Sequence, residues 1–431
     1  MKTRAIVSVV IVLCVLSVAF AQERVVREQT GGNVIQYESI VISSDSGNTV
    51  VIPLRIRYDF FVFTRSMNTS EDLFTAHGEA TIELLDSTGT SSARAIQQIN
   101  VSAAENSPSF LRSQSGQYFF SFPLPAGYYT IVIKIDDMES KREFVDNKKH
   151  IIIPKQSGIL SGLIPIQIFS GKAFTLFNLG GDVLFSQNYG FIFLSHKAYS
   201  TARYSLSKLL MDEEDKESVE TNISTTIVSF ENQTVNTLHK DNSIELSLQS
   251  APHCNINYIS LNGSQLRQGR YELSILLPDS TTLKTTFAAR WRDMPISLYD
   301  LDLAIEPIQY ITTKDDYSEL RRGGRESRIN KFEEFWKKKD STPATAYNEV
   351  MHEFYRRVDF SMTAFRTLRE MNGAITDRGK IYILYGKPTS TERLLNPDGA
   401  PKEIWKYNSL NKMFTFEDPS KQGNYKLAEN K

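Results

Sequence analysis

Apolar and polar positions alternate with a period of two through the first 290 or so residues of this 431-residue chain, and with a period near 3.6 after that. From Val50 to Val62 every even position (Val50, Ile52, Leu54, Ile56, Tyr58, Phe60, Val62) is apolar or aromatic, while Pro53, Arg55, Arg57 and Asp59 fall between them. The pattern predicts a half-buried strand. Further strands are predicted over Ala80 to Leu85, closed by the turn DSTG, and over Tyr118 to Leu124. Beyond residue 315, Ile329, Phe332, Phe335 and Trp336 fall on one helical face. Tyr347, Val350, Met351, Phe354, Tyr355 and Val358 recur at helical spacing behind a predicted cap at Ser341-Thr342-Pro343, and Asn372-Gly373 reads as a helix stop. Ile381 to Leu384 then reads as a strand apolar on both faces, closed by Gly386 and Pro388. Two aromatic strands follow, one with Trp405 and Tyr407 on one side, the other with Phe414 and Phe416.

An internal repeat sets the domain count. LPAGYYTIVIKIDD starts at Leu124 and LRQGRYELSILLPDS at Leu266, a constant offset of 142, pairing Gly127 with Gly269, Tyr129 with Tyr271, Ile133 with Ile275 and Asp137 with Asp279. A turn glycine, a tyrosine two residues on and then alternating aliphatics are the pattern of the penultimate strand in Ig-like sandwiches, where the tyrosine buries its ring and sends its hydroxyl to the backbone. The expected fold class is therefore multidomain. Two all-β Ig-like sandwiches cover 22–153 and 154–291, joined near Pro154; a connector with Pro295 and Pro307 covers 292–314; an α+β domain of helices packed on a small antiparallel sheet covers 315–431.

The N-terminus has Lys2 and Arg4, an apolar run from Ala5 to Phe20, and small residues Ala19 and Ala21 before a polar stretch. It reads as a signal peptide over 1–21, cleaved between Ala21 and Gln22, which predicts a secreted or periplasmic protein. Leu13 before Cys14 argues against lipidation. No later segment is long and apolar enough to span a bilayer. Without the leader one cysteine remains, Cys254, so no intramolecular disulfide forms. Charge is uneven: 24 Lys and Arg face 32 Asp and Glu over 22–311, against 23 and 18 over 312–431. The basic excess is interleaved with acids rather than clustered, which excludes nucleic acid as a partner.

Gly373, Thr376, Asp377, Arg378, Gly379, Tyr385, Gly386 and Pro388, followed by Trp405-x-Tyr407 and Phe414-x-Phe416-x-Asp418, stand in one order and spacing. The block resembles the bacterial GWxTD domain family over roughly 315–427. Ala374 occupies the position of the family tryptophan, so any contact built on that ring is absent here. The resemblance implies a secreted module and lends no activity.

Candidate chemistry is sparse. His352-Glu353 begins like a zinc motif, but Arg356 stands where the second histidine belongs. His253 and Cys254 are neighbours in a strand pattern and point to opposite faces. No nucleophile elbow, phosphate loop or dinucleotide fingerprint occurs. Asp136-Asp137 and Asp300 with Asp302 suit a calcium ion or a solvated turn alike, and no metal or other cofactor is expected. The candidate binding residues are Thr376, Asp377 and Arg378, for a partner's backbone or carboxylate, and Trp405 and Tyr407 as a stacking platform. The expected function is a non-enzymatic interaction or scaffold component of the bacterial cell envelope, with an envelope or extracellular protein as partner. An envelope hydrolase centred on Asp377 and Arg378 with Glu417 and Asp418 nearby, and a carbohydrate-binding protein, stand as alternatives.

Overall fold

The computed structural model describes residues 34–431 apart from 45–46, 66–72, 105, 107–109, 112–113, 154, 156–157, 172, 178–180, 210–215, 241–242, 265, 293, 395–398 and 429–431. The leader with its expected cleavage site at Ala21 and Gln22, and the expected joint at Pro154, lie outside the described residues. The protein is β-rich and multidomain, with two compact units, Met1–Arg292 and Asp293–Lys431.

In the first unit four sheets stack around three apolar layers. Sheet I holds Thr64–Arg65, Phe74–Leu85, Ser91–Ala103, Gly127–Asp137 and Glu143–Ile153; sheet II holds Ile35–Tyr37, Ile40–Ser44, Gly47–Arg57 and Ser115–Leu124. Sheet III has seven strands, among them Ile164–Phe169, Tyr189–Ser195 and Asn255–Leu261. Sheet IV includes Thr201–Leu209, Gly269–Leu276 and Thr282–Arg290. One core, with Ile52, Leu54, Ile82, Ile131 and Ile133, lies between sheets I and II. Another, with Phe191, Phe193, Tyr271, Leu273 and Phe287, lies between sheets III and IV. A third joins Ile40 and Val51 of sheet II to Ile164, Ile166, Phe174, Ile192 and Ile256 of sheet III. The sequence Tyr189–Ser195 explains the centre of this stack: every residue is buried, odd positions facing sheet IV and even positions facing sheet II.

That third layer corrects the reading of the strand at Gly47–Arg57. Its even positions enter the first core as the alternation predicts, but Val51 and Arg55 on the other face are buried too. Arg55 donates through Nη2 to the Phe177 carbonyl at 3.4 Å, so the arginine is covered by the neighbouring sandwich rather than by water. The strand stops at Arg57, where Tyr58–Phe60 turns as a 3₁₀ segment and Arg57 Nε bonds Asp59 at 2.9 Å; Val62 is exposed.

The repeated hairpins are built alike. Gly127–Asp137 pairs with Glu143–Ile153, and Gly269–Leu276 with Thr282–Arg290. Tyr129 donates its hydroxyl to the Pro125 carbonyl at 3.1 Å and Tyr271 to the Arg267 carbonyl at 2.8 Å, each four residues back, with both rings buried. Cys254 is a buried residue of the third layer.

The second unit has five helices: α1 Leu301–Ile305, α2 Lys314–Arg321, α3 Arg325–Lys337, α4 Glu349–Ala364 and α5 Asp377–Tyr385. A four-stranded antiparallel sheet follows, Ser390–Leu394, Lys402–Tyr407, Lys412–Glu417 and Lys426–Leu427, in that order. Ala304, Ile305 and Ile308, from the proline-flanked segment read as a connector, belong to this unit's own core with Trp336, Tyr355 and Ala374. Tyr355, fully buried, receives the Trp336 indole N–H and donates to the Ala304 carbonyl at 2.6 Å.

Three local expectations fail here, each for a physical reason. Helix α4 is capped by Asn348, whose Oδ1 accepts from Met351 N–H at 2.9 Å, not by Ser341 or Thr342. It ends at Ala364, well before Asn372-Gly373. Ile381 to Leu384 is helix rather than strand: Thr376 caps α5, Gly386 leaves it at φ 76°, and Ile381 and Ile383 enter two different cores. A four-residue apolar run is too short to show a period of its own, so its flanking cap and glycine decide.

Candidate functional site

The segment Gly373 to Gly379 is a knot of backbone contacts. Asn372 Oδ1 accepts from Ala374 N–H at 3.1 Å and starts a 3₁₀ turn. Thr376 Oγ1 donates to the Gly373 carbonyl at 2.7 Å and accepts from Gly379 N–H at 3.1 Å, closing the turn onto α5. Gly379 lies inside the helix. A Cβ there would stand 2.0 Å from the Gly373 carbonyl oxygen, and one on Gly373 would stand 2.2 Å from that of Ser361. The glycines provide close approach and not a left-handed backbone, which neither adopts.

The polar side chains of the segment are spent on the rest of the unit. Asp377 Oδ2 accepts from Leu427 N–H at 2.9 Å and fastens the last strand. Arg378 reaches Glu403 at 3.3 Å and the Gly423 carbonyl at 3.3 Å, with its guanidinium 4.5 Å from the Tyr425 ring centroid and 5.5 Å from that of Phe365. Glu403 is buried; its other oxygen accepts from Trp405 Nε1 at 2.6 Å, and Arg393 stands 3.5 Å away. Arginine, glutamate and tryptophan thus satisfy one another around a buried carboxylate, where an orphaned charge would be costly.

Trp405 is 2% exposed and Tyr407 3%. The indole packs on Phe365, Tyr382 and Phe416, and Tyr407 donates to the Gly386 carbonyl at 2.9 Å. Burial pushes the Tyr407 hydroxyl above its usual range. Neither ring offers a face to a sugar. Glu417 pairs with Lys402 at 2.7 Å. For Asp418, burial raises the carboxyl, but bonds from the Ser420 hydroxyl and the Gly423 N–H outweigh it and hold the group below the usual range. Asp377, Arg378, Glu417 and Asp418 are each engaged within the unit, Asp377 on Leu427, Glu417 on Lys402, and Arg378 and Asp418 both on Gly423.

Elsewhere, Glu353 is gripped by Arg356 at 2.8 Å and Arg357 at 2.7 Å, and His352 Nδ1 meets the Tyr347 hydroxyl. Asp300 caps α1, and Asp136 pairs with Lys134 at 2.8 Å. Among the described residues no group of three His, Cys, Asp or Glu could hold a metal ion, and no helix is long and apolar enough to cross a membrane. Ala374, buried, lines a shallow dimple too small to hold a water molecule, with Pro307, Tyr310, Val358 and Met362. Burial, with Glu306 and Asp377 nearby, pushes the Tyr310 hydroxyl up to about 12, and that hydroxyl donates to the Ala374 carbonyl at 3.1 Å.

Residues 279–431 match the GWxTD domain. The C-terminal unit is a GWxTD domain. The match opens upstream of the residues that carry the sequence resemblance, taking in the last strand of sheet IV. No curated protein matches the chain. Of solved structures, a red sea bream transglutaminase is 10% identical with a TM-score of 0.18, covering 63% of this chain, which spans about a third (34%) of the length of that protein. A structure described as pT26-6p is 8% identical with a TM-score of 0.12, over 85% of this chain and 87% of that one. Scores this low carry no argument about fold or activity.

Two groups that complete the GWxTD core escaped the sequence reading, Glu403 and Tyr425. A glutamate two residues from Trp405 on the same strand face was the available signal, since a charge on an aromatic face needs a buried partner.

Proposed function

We propose that the protein is a non-enzymatic scaffold or interaction component of the bacterial cell envelope, secreted or periplasmic, with two Ig-like sandwiches as spacer and adhesion units and a GWxTD α+β cap. One observation carries the reading: on the solvent face of sheet I, where alternation calls for polar residues, the hairpin of Gly127–Asp137 and Glu143–Ile153 carries an exposed apolar pair at its open end, Tyr128 and Ile152. Ile152 is 71% exposed there beside the exposed Tyr128, while Ile96 and Val145 are exposed on a separate row of the same face, across Thr81 and Lys134. Ile152 lies opposite Tyr128 in the register, and Tyr128 stacks on His150. A sheet face of this kind suits a partner protein. The tyrosine bonds at Tyr129 and Tyr271 support the Ig-like assignment.

The test is in-cell photo-crosslinking from Tyr128 and Ile152, with Asp316 on α2 as control, alongside fractionation of the cells. A defined envelope protein captured at the sheet and not at the control supports the proposal. Absence of any captured protein, or recovery of the full chain in the cytoplasm, overturns it.

A further inference from the structure

The turn between α4 and the GWxTD segment carries the most exposed large apolar side chain in the described protein. Leu368 is 88% exposed and Met371, three residues further, 70%. The turn is held from within: Thr367 N–H donates to the Glu370 carbonyl and Glu370 N–H to the Thr367 hydroxyl, both at 2.9 Å, while Glu370 Oε1 turns back onto Asn372 N–H at 3.1 Å. Leu368 and Met371 are thus projected from a fixed base. Arg366 and Arg369 flank Leu368 and are exposed. Arg366 uses its Nε on the Met362 carbonyl at 3.1 Å, and neither guanidinium meets a carboxylate among the described residues.

We propose that this turn is a bilayer contact, inserting Leu368 and Met371 among the acyl chains of an anionic phospholipid surface while Arg366 and Arg369 bind its phosphates. The surface is a protruding tip rather than a groove, so it needs an occupant that deforms around it. A lipid interface does, whereas a protein partner would have to supply a matching cavity. Two cations beside two apolar groups, with the neighbouring glutamate turned inward, match the order of a headgroup layer, negative outside and apolar beneath. The proposal extends the envelope reading to a second contact and rests on that reading for access to a bilayer.

The experiment uses the purified mature chain from Gln22, in which the one cysteine, Cys254, is buried, with an environment-sensitive fluorophore on Leu368→Cys or, as control, on Leu410→Cys. Vesicles of phosphatidylglycerol and phosphatidylethanolamine in equal parts are compared with phosphatidylcholine alone. A blue shift at 368 and not at 410 is expected, quenched by brominated acyl chains. Without the fluorophore, Leu368→Ser with Met371→Ser lowers vesicle partitioning at least about tenfold. Arg366→Gln and Arg369→Gln each lower it about fivefold on the anionic vesicles only. An unshifted probe at 368, serine variants that partition like the parent, or crosslinking from 368 that captures a protein in place of lipid would each overturn the proposal. Because the readout uses purified protein and lipid, its failure leaves the sheet I crosslinking result standing, and the reverse.

Discussion

Single residues in the GWxTD domain act through contact distance and satisfied charge. Alanine for glycine in a helix interior normally stabilises by about 1 kcal/mol. At Gly379 the new methyl would meet the Gly373 carbonyl, so Gly379→Ala is expected to destabilise by about 2 kcal/mol or more in chemical denaturation. A gain in stability would show that the close approach is not what this glycine is for. Arg378 gives a second case, since removing it leaves the buried Glu403 with Arg393, an exposed side chain 3.5 Å away, as its remaining cation. Arg378→Met is expected to cost about 2 kcal/mol, and adding Glu403→Gln should recover part of that loss by removing the under-compensated charge while keeping an acceptor for Trp405. A double variant no more stable than the single would refute the pairing. At this scale the sequence was half informative. Thr376, Asp377 and Arg378 stood out by spacing, and Thr376 finds its partners locally in Gly373 and Gly379, yet Leu427 and Glu403, which meet Asp377 and Arg378, come from other elements and depend on the tertiary fold.

At the scale of elements, the twin hairpins repeat one device, a tyrosine bonded to the backbone four residues upstream. Tyr129→Phe and Tyr271→Phe should each lower stability by about 1 kcal/mol, and nearly additively, because they sit in different cores. Strong non-additivity in urea titrations would argue against separate roles. The second hairpin also has an acid-sensitive turn. Hydrogen bonds from the Tyr199 hydroxyl, at 2.7 Å, and from Thr281 hold the Asp279 carboxyl at about 2, below its ordinary 3.8. A depressed carboxylate contributes stability above its unfolded value and loses it as pH falls through the folded one. Melting temperature should therefore drop between about pH 4 and about pH 2, and less steeply in Tyr199→Phe; parallel curves would count against this linkage. The hairpins were legible because their period, turn glycine and tyrosine all agree. Ile381 to Leu384 was not, because four consecutive apolar residues are too few to separate a helical period from that of a strand.

For the whole molecule, the layer between sheets II and III matters most. Alternation along Gly47–Arg57 foretold one buried face and could not reveal the other, since Val51 is covered by strands more than a hundred residues away. The composition of Tyr189–Ser195, apolar at nearly every position, was the available sign of a strand enclosed on both sides. Calorimetry should show the first unit melting in one transition, and Val51→Asp, which places a carboxylate in the shared layer, should split it into two. A single transition in the variant would mean that the two sandwiches are coupled by something else. The stack also imposes an order on biogenesis. The first pair of sheets is complete once Ile153 has been made, but the back of sheet II, with Ile40 and Val51, finds its cover only after Ile256 has followed. For that interval the nascent protein presents a sticky, fully formed surface, and a holding chaperone has its clearest foothold there.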